Sequence, residues 1–496
     1  MEQAGQIVEV AAVELTPYVE LHETHTGVVV LAGDKAYKAK KPIATEFLDF
    51  STVDHRERAC HREVLLNSRL APESYLGVGH WTDPAGGPAE PVIVMRRYPD
   101  SRRLATLVKR GVAVKGELAD IAEALATFHN RSHHTRAVDA QGKAGAISAR
   151  WKENLAELRR FPANAAPPEV IGKIDSLAGR FIRGRKALFG QRIIDKRIVD
   201  GHGDLLADDI FCMPEGPLLL DCLDFDADLR YVDRIDDAAF LAMDLEFLGR
   251  EDLANYFLDT YSHFAKDDSP TSLKHFYIAY RALVRAKVDC IRLAQGHPKA
   301  SDEATRHLSL ALEHLAAGAV QLALIGGAPG TGKTTLAHSL GDRVGAEVIS
   351  TDDVRRELQQ HGTIDGETGL LDEGLYRPEQ VAAVYDEVIR RARLSLTGGR
   401  PVILDGTWRD PRQRLLARAL ANQTGSTLLE IVCWTSVDAA VERVGHRVAG
   451  ASDATPHIAR ALAVRDDAWD TAHPIDTSQA LSDCTGQAEK LWRKAH

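Results

Sequence analysis

Apolar residues follow two rhythms along this chain. Toward the C-terminal end, Val320-Gln321-Leu322-Ala323-Leu324-Ile325 and Pro401-Val402-Ile403-Leu404 read as strands buried on both faces, and the first runs through a glycine-rich turn into an apolar helix. Glu347-Val348-Ile349-Ser350 reads as a further strand. Toward the N-terminal end, Gly27-Val28-Val29-Val30-Leu31 and Lys35-Ala36-Tyr37-Lys38-Ala39-Lys40 predict a hairpin, and Cys60-His61-Arg62-Glu63-Val64-Leu65 predicts helix. A second hairpin is predicted over 211–221, turning at Pro214-Glu215-Gly216. A long apolar-periodic helical stretch begins near Ser272 and closes at 313–320, where a new strand starts at once. That places the main boundary near Ala317 and predicts two domains, 1–317 and 318–496.

Composition narrows the picture. The 496 residues allow two to four domains, and 44% hydrophobic with 27% charged residues exclude a disordered or collagen-like chain. Six scattered cysteines, with no Cys-x-x-Cys pair, predict neither a zinc site nor a disulfide framework, only buried thiols. No apolar run approaches the eighteen or so residues that span a bilayer, and Met1-Glu2-Gln3-Ala4-Gly5 lacks the plan of a signal peptide, so a cytoplasmic location without a membrane partner is expected. The net charge of −10, split as −6 over 1–317 and −4 over 318–496, makes nucleic acid an unexpected partner.

The strongest chemical signal is G-x-x-x-x-G-K-T from Gly327 to Thr334, between strand and helix. Its residues, Gly327, Ala328, Pro329, Gly330, Thr331, Gly332, Lys333 and Thr334, with Thr335 beyond, predict a phosphate loop for ATP. Glycines let backbone N–H groups turn toward the phosphates, and the helix N-terminus adds its partial positive charge. Lys333 is expected to reach the β and γ phosphates and Thr334 to ligate Mg²⁺. Asp352 lies at the C-terminal tip of the next strand, where open parallel sheets bind ligands, and suits a general base toward a substrate hydroxyl. The competing role is N-cap of the following helix, which Asp353 can fill instead. Asp405, at another strand end, suits Mg²⁺ or its water. Arg443 and Arg447, four apart, share a helical face, as a phosphate clamp or a solvated basic face requires.

These segments resemble the small P-loop kinase branch that includes gluconate kinase, chloramphenicol phosphotransferase, polynucleotide kinase and the zeta toxins. The resemblance covers 318–496 and rests on the loop, Ile349-Ser350-Thr351-Asp352, Leu404-Asp405-Gly406-Thr407 and the arginine-rich segment leading to Ser452-Asp453-Ala454-Thr455. It implies that Asp352 activates the acceptor hydroxyl and that lid arginines close over the phosphates.

In the N-terminal part, His202-Gly203-Asp204 precedes Asp209 by the spacing that puts an acceptor-orienting acid five residues before a metal ligand. Asp221 and Asp224 follow the second hairpin, where one can hold Mg²⁺ through hard oxygen ligands. A strand lysine with Glu63 as helical partner is the arrangement that fixes α and β phosphates in kinase-like folds. Tyr37-Lys38-Ala39-Lys40-Lys41-Pro42, Phe47-Leu48-Asp49-Phe50 and Ala239-Phe240-Leu241-Ala242-Met243-Asp244-Leu245 then resemble a bacterial branch of the aminoglycoside phosphotransferase and choline kinase superfamily, over about 15–315. The resemblance implies a bilobal α+β fold with Asp204 as catalytic-loop acid, Asp209 and Asp221 or Asp224 at Mg²⁺, Lys38 or Lys40 on the phosphates, and a linker around Met95-Arg96-Arg97 facing the adenine. The chain departs from that pattern: Asp209 stands where Asn is usual, Leu206 where His is frequent, and no glycine-rich loop precedes Lys35.

Duller roles are expected for His129, His133 and His134 as solvated side chains, for Asp237 as a support of the catalytic loop, and for Trp151 and Trp469 as packing residues. The fold class expected is thus a kinase-like α+β part followed by an α/β P-loop domain with a parallel sheet. The function expected is transfer of phosphate from ATP, with Mg²⁺, to a hydroxyl of a small molecule by the P-loop domain, with the N-terminal part as a possible second phosphotransferase. The alternatives are an N-terminal pseudokinase gating the C-terminal ATPase, and a polynucleotide or nucleotide-sugar kinase.

Overall fold

The computed structural model describes residues 18–23, 26–44, 49–367, 373–446, 455–463 and 469–495. The strands, in chain order, are β1 (Val19–Glu23), β2 (Gly27–Ala32), β3 (Lys35–Lys40), β4 (Tyr75–Trp81), β5 (Glu90–Arg96), β6 (Ile198–Asp200), β7 (Ile210–Met213), β8 (Gly216–Leu219), β9 (Tyr231–Asp233), β10 (Gln321–Gly326), β11 (Glu347–Ser350), β12 (Val402–Asp405), β13 (Thr427–Trp434) and β14 (His473–Asp476). The chain packs as two compact units that do not follow chain order. Among the described residues, one takes those up to Ser132 together with Gly201–Arg230, the other His133–Asp200 and those from Tyr231 onward.

In the first unit the β-branched run Val28-Val29-Val30 pairs with β3 around a tight turn at Gly33, and the strands form an antiparallel sheet in the order β1-β2-β3-β5-β4. The helix Val53–Asn67 starts where the Thr52 hydroxyl accepts the His55 N–H, and it packs on β4 and β5. Cys60, Ala71, Tyr75, Ile93, Phe211 and Leu220 form one apolar cluster, which ties helix and sheet to the β7–β8 hairpin. That hairpin therefore has a fixed place, and the acids at its two ends are fixed with it.

The second unit holds a helical bundle and the P-loop sheet. The helical stretch expected from Ser272 to 320 is two helices, Thr271–Ala294 and Ala300–Ala317, packed along each other; Gly296, at φ +93°, and Pro298 break them. Trp151 is buried as expected, against Phe276 and Tyr280. Strands β10 to β14 form a parallel sheet in the order β11-β12-β10-β13-β14, so the two strands beside β10 are β12 and β13. Ile325, Leu336, Leu340, Ile403, Ile431 and Trp492 belong to the core joining this sheet to the helices Lys333–Val344 and Leu481–Lys494. Bundle and sheet are bonded directly. The fully buried Arg185 donates to the Thr424 carbonyl at the end of the helix Pro411–Gln423, and Ser272 Oγ donates to the Gly399 carbonyl at 2.6 Å. Burial, with Arg180 nearby, lowers the Arg185 pKa to about 9.

All six cysteines are buried thiols, as the sequence predicts. No helix among the described residues is long and apolar enough to cross a membrane.

Candidate functional site

At the C-terminal end of β10 the chain turns sharply into the helix Lys333–Val344. Gly330 has φ +88°, and a Cβ there would come within 2.2 Å of the Ala440 carbonyl oxygen. A Cβ on Gly327 would meet the Cys433 carbonyl oxygen at 2.4 Å. The loop is thus held against β13 and the helix Val437–Gly445 with no room for side chains. Its polar braces come from far along the chain. The Thr477 hydroxyl lies 2.7 Å from the Thr331 carbonyl, and Arg443 Nη2 donates to the Thr477 carbonyl at 2.9 Å. Arg443 accordingly sits beside the loop, next to Gly332. Arg447, its predicted companion, lies outside the described residues.

Lys333 is buried at the helix start, and Thr334 Oγ1 donates to Asp405 Oδ2 at 2.8 Å. Burial pushes the Asp405 carboxyl up, against the pull of Lys333 and the Thr334 hydroxyl. Its Oδ1 is buried with no hydrogen bond of good geometry. One strand over, Ser350 pairs with Asp405 in register, and its hydroxyl accepts the Asp352 N–H at 3.2 Å. Ser350 is therefore the cap of the helix Thr351–Gln360, which corrects the expectation that an aspartate fills that role. The Asp352 carboxylate accepts from Arg355 Nη1 at 2.5 Å, and Arg355 is buried over the Tyr376 ring. Opposite, Trp408 takes a left-handed backbone (φ +52°) and donates its indole N–H to the Leu404 carbonyl, while its own N–H is held by the Tyr385 hydroxyl. Trp469 packs on the entry to the loop, where a Cβ on Gly326 would strike its ring. Lys333, Thr334, Asp405 and Asp352 are thus gathered at neighbouring strand tips.

No group of three or more His, Cys, Asp or Glu among the described residues is arranged to hold a metal ion alone. Nucleotide-borne Mg²⁺ needs less, since it keeps several waters and takes only one or two protein oxygens besides the phosphates. The Thr334 hydroxyl and the buried Asp405 carboxylate fit that demand.

In the first unit, Lys38 and Lys40 share a face of β3 and both reach Glu63, at 2.9 and 2.7 Å. Lys38 also meets Asp221 at 2.6 Å, and Lys40 meets Asp224 at 2.9 Å. Burial opposes charge on Glu63, but the two lysines outweigh it and hold its pKa at about 2. Asp221 has φ +61°, with its N–H on the Tyr75 hydroxyl and the next N–H on Asn67. His202 braces the neighbouring loop: its Nδ1 accepts the Asp204 N–H at 3.3 Å, so Nε2 carries the proton and donates to the Leu220 carbonyl at 3.0 Å. Asp209 ends the turn Ala207–Asp209, and burial together with Asp221 and Asp204 holds its carboxyl well above the usual range. These hard carboxylate oxygens suit Mg²⁺ in kind. Met95 lies inside β5, against the apolar cluster, and not in a linker; the linker begins after Arg96. His129 is fully buried against Phe128, contrary to its expected solvation, while His133 and His134 are exposed.

The family model described as "AAA domain" matches residues 322–466. The uncharacterized protein Rv2004c of Mycobacterium tuberculosis is 56% identical over 479 residues, which cover 97% of this chain and 96% of that protein. The chain belongs to the family of Rv2004c. Among solved structures, a choline/ethanolamine kinase family protein from Mesorhizobium loti aligns with 61% of this chain and 94% of its own, at 17% identity and a TM-score of 0.37. A gluconokinase from Sinorhizobium meliloti 1021 aligns with 35% of this chain and 93% of its own, at 18% identity and a TM-score of 0.26. In this chain an α+β part built on an antiparallel five-stranded sheet is followed by an α/β part whose parallel five-stranded sheet carries the 327–334 loop.

Thr477, Ser350, Arg355, Tyr385 and Trp408 are the site residues that sequence reasoning missed. Ser350 carried a signal, a serine just before a helix opening with Asp352 and Asp353. Thr477 carried none, since it lies 146 residues from the loop it braces.

Proposed function

We propose that the chain is an ATP-dependent phosphotransferase whose P-loop domain moves the γ-phosphoryl group of ATP to a hydroxyl of a small molecule, with a second nucleotide site in the N-terminal part. The observation that carries this is the convergence of Lys333, the Thr334–Asp405 pair and Asp352 at adjacent strand tips. Mg²⁺, when bound, neutralises charge on the phosphates. Backbone N–H groups of 327–334 and Lys333 hold the phosphates, and Arg443 lies where it can add charge beside them. Asp352, kept in place by Arg355, accepts the proton of the acceptor hydroxyl as its oxygen attacks phosphorus and ADP leaves. The boundary proposed near Ala317 falls between the helix Ala300–Ala317 and β10, within the second compact unit.

One observation favours regulation as a second reading of the N-terminal part. Asp204, Asp209 and Asp221 crowd one place, and a carboxylate at 209 adds repulsion toward phosphates that asparagine would not. The test is a transfer screen with Mg²⁺ and ATP over sugars, amino sugars, aminoglycosides and nucleosides, run on wild type, Lys333→Ala and Asp204→Ala. Transfer lost only in Lys333→Ala supports chemistry in the P-loop domain; transfer lost only in Asp204→Ala moves it to the N-terminal site.

A further inference from the structure

We propose that Lys38 and Asp221 are the ligand-facing pair of the N-terminal site, and that Lys40 with Asp224 is an inner positioning pair that keeps Glu63 compensated when Lys38 turns to a phosphate. The inference rests on reading that site as a nucleotide site.

The two lysines occupy equivalent places on β3 but different environments. Side-chain exposure is 17% for Lys38 and 6% for Lys40, and 49% for Asp221 against 16% for Asp224. Lys40 is sealed further by the Phe50 ring, 4.9 Å away. The outer pair borders the other candidate acids: Asp209 feels Asp221, Asp204 and Lys38. Asp224 feels Lys40 and Glu63 most strongly, then Lys38. Asp221 is also the acid whose backbone is fixed from behind, by the Tyr75 hydroxyl on its own N–H and Asn67 on the next.

The charge arithmetic separates the roles. Glu63 is almost fully buried and touches both lysines. With a single lysine partner, any move of that lysine to a phosphate would strand a buried carboxylate, which is strongly unfavourable. Here Lys38 can leave, because Lys40 stays 2.7 Å from Glu63. Lys40 cannot leave on the same terms, since Asp224 and Glu63 would both lose their inner cation. Lys38 is the lysine that moves, and Lys40 the one that permits it.

The test uses the full chain carrying Lys333→Ala, so that the P-loop contributes no binding, titrated with ATP by calorimetry with and without Mg²⁺. Lys38→Met is expected to weaken ATP at least tenfold with an unchanged melting temperature, and Asp221→Asn to remove the dependence of ATP affinity on Mg²⁺. Lys40→Met and Asp224→Asn are expected to lower the melting temperature. Lys40→Met weakens ATP severalfold, Lys40→Arg restores the affinity, and the Lys40→Met/Asp224→Asn double variant regains part of the lost melting temperature. If Lys40→Met fails to fold, Asp224→Asn and Lys40→Arg carry the comparison. ATP binding abolished by Lys40→Met and untouched by Lys38→Met, both folded, overturns the assignment while leaving a nucleotide site. No ATP binding in a folded Lys333→Ala parent removes the nucleotide site, and the proposal with it.

Discussion

Asp352 and Thr477 show how differently single residues enter the site. Asp352 stands at a strand tip and was legible from its position, because the C-terminal ends of parallel strands are where such sheets bind ligands. Its replacement by Asn is predicted to lower the turnover number roughly 10²- to 10⁴-fold, the span of general-base contributions, with the ATP KM little changed; steady-state kinetics with an acceptor from the screen separates the two. A rise in KM alone would make Asp352 a binding group and not a base. Thr477 supplies one hydroxyl to the underside of the phosphate loop. Thr477→Val should cost about 1 kcal/mol of loop order, or roughly fivefold in ATP affinity, with turnover once saturated unaffected. Nothing near Thr477 in sequence marks it, since its role exists only once β14 lies beside β13.

Elements were legible where period and punctuation agreed. The strand, glycine loop and helix over 320–344 and the β2–β3 hairpin stand as expected. The expectation failed where a short break decided the outcome, as at Gly296 and Pro298, and where burial overrode polarity, as at His129. The phosphate loop owes its shape to packing as much as to glycine freedom. Gly330→Ala must place a methyl group against the Ala440 carbonyl in a left-handed backbone, so it should abolish ATP binding while the melting temperature falls by only a few degrees. The join between bundle and sheet rests on an element end: Arg185 occupies carbonyls at the terminus of the helix Pro411–Gln423. Arg185→Met leaves those carbonyls unsatisfied and should destabilise the second unit by about 2 kcal/mol in denaturant titration.

Across the whole molecule, chain order and packing order differ. The acids Asp204, Asp209, Asp221 and Asp224 belong to the first unit through its Gly201–Arg230 segment, and the P-loop sheet packs with helices that precede it. Periodicity cannot reveal such an exchange, because it reports which face of an element is buried and not against what. The second unit also carries a pH dependence. His275 and His314 share a hydrogen bond at 2.8 Å, and His314 contacts Glu246 at 2.7 Å. Burial, then His314 and Lys274, depress His275 to about 4, whereas the unfolded chain titrates near 6.5. Between those values the unfolded chain binds the extra proton, so stability is full above about 6.5 and is lost as pH falls toward 4. Between pH 6.5 and 5 the wild type should lose about 1.5 kcal/mol more than His275→Gln in parallel denaturant titrations. For the account as a whole the deciding measurement is transfer of labelled γ-phosphate from ATP, with Mg²⁺, to the best acceptor of the screen, in wild type, Lys333→Ala and Asp204→Ala. The prediction is at least a hundredfold loss in Lys333→Ala with transfer retained in Asp204→Ala; undiminished transfer in Lys333→Ala would contradict it.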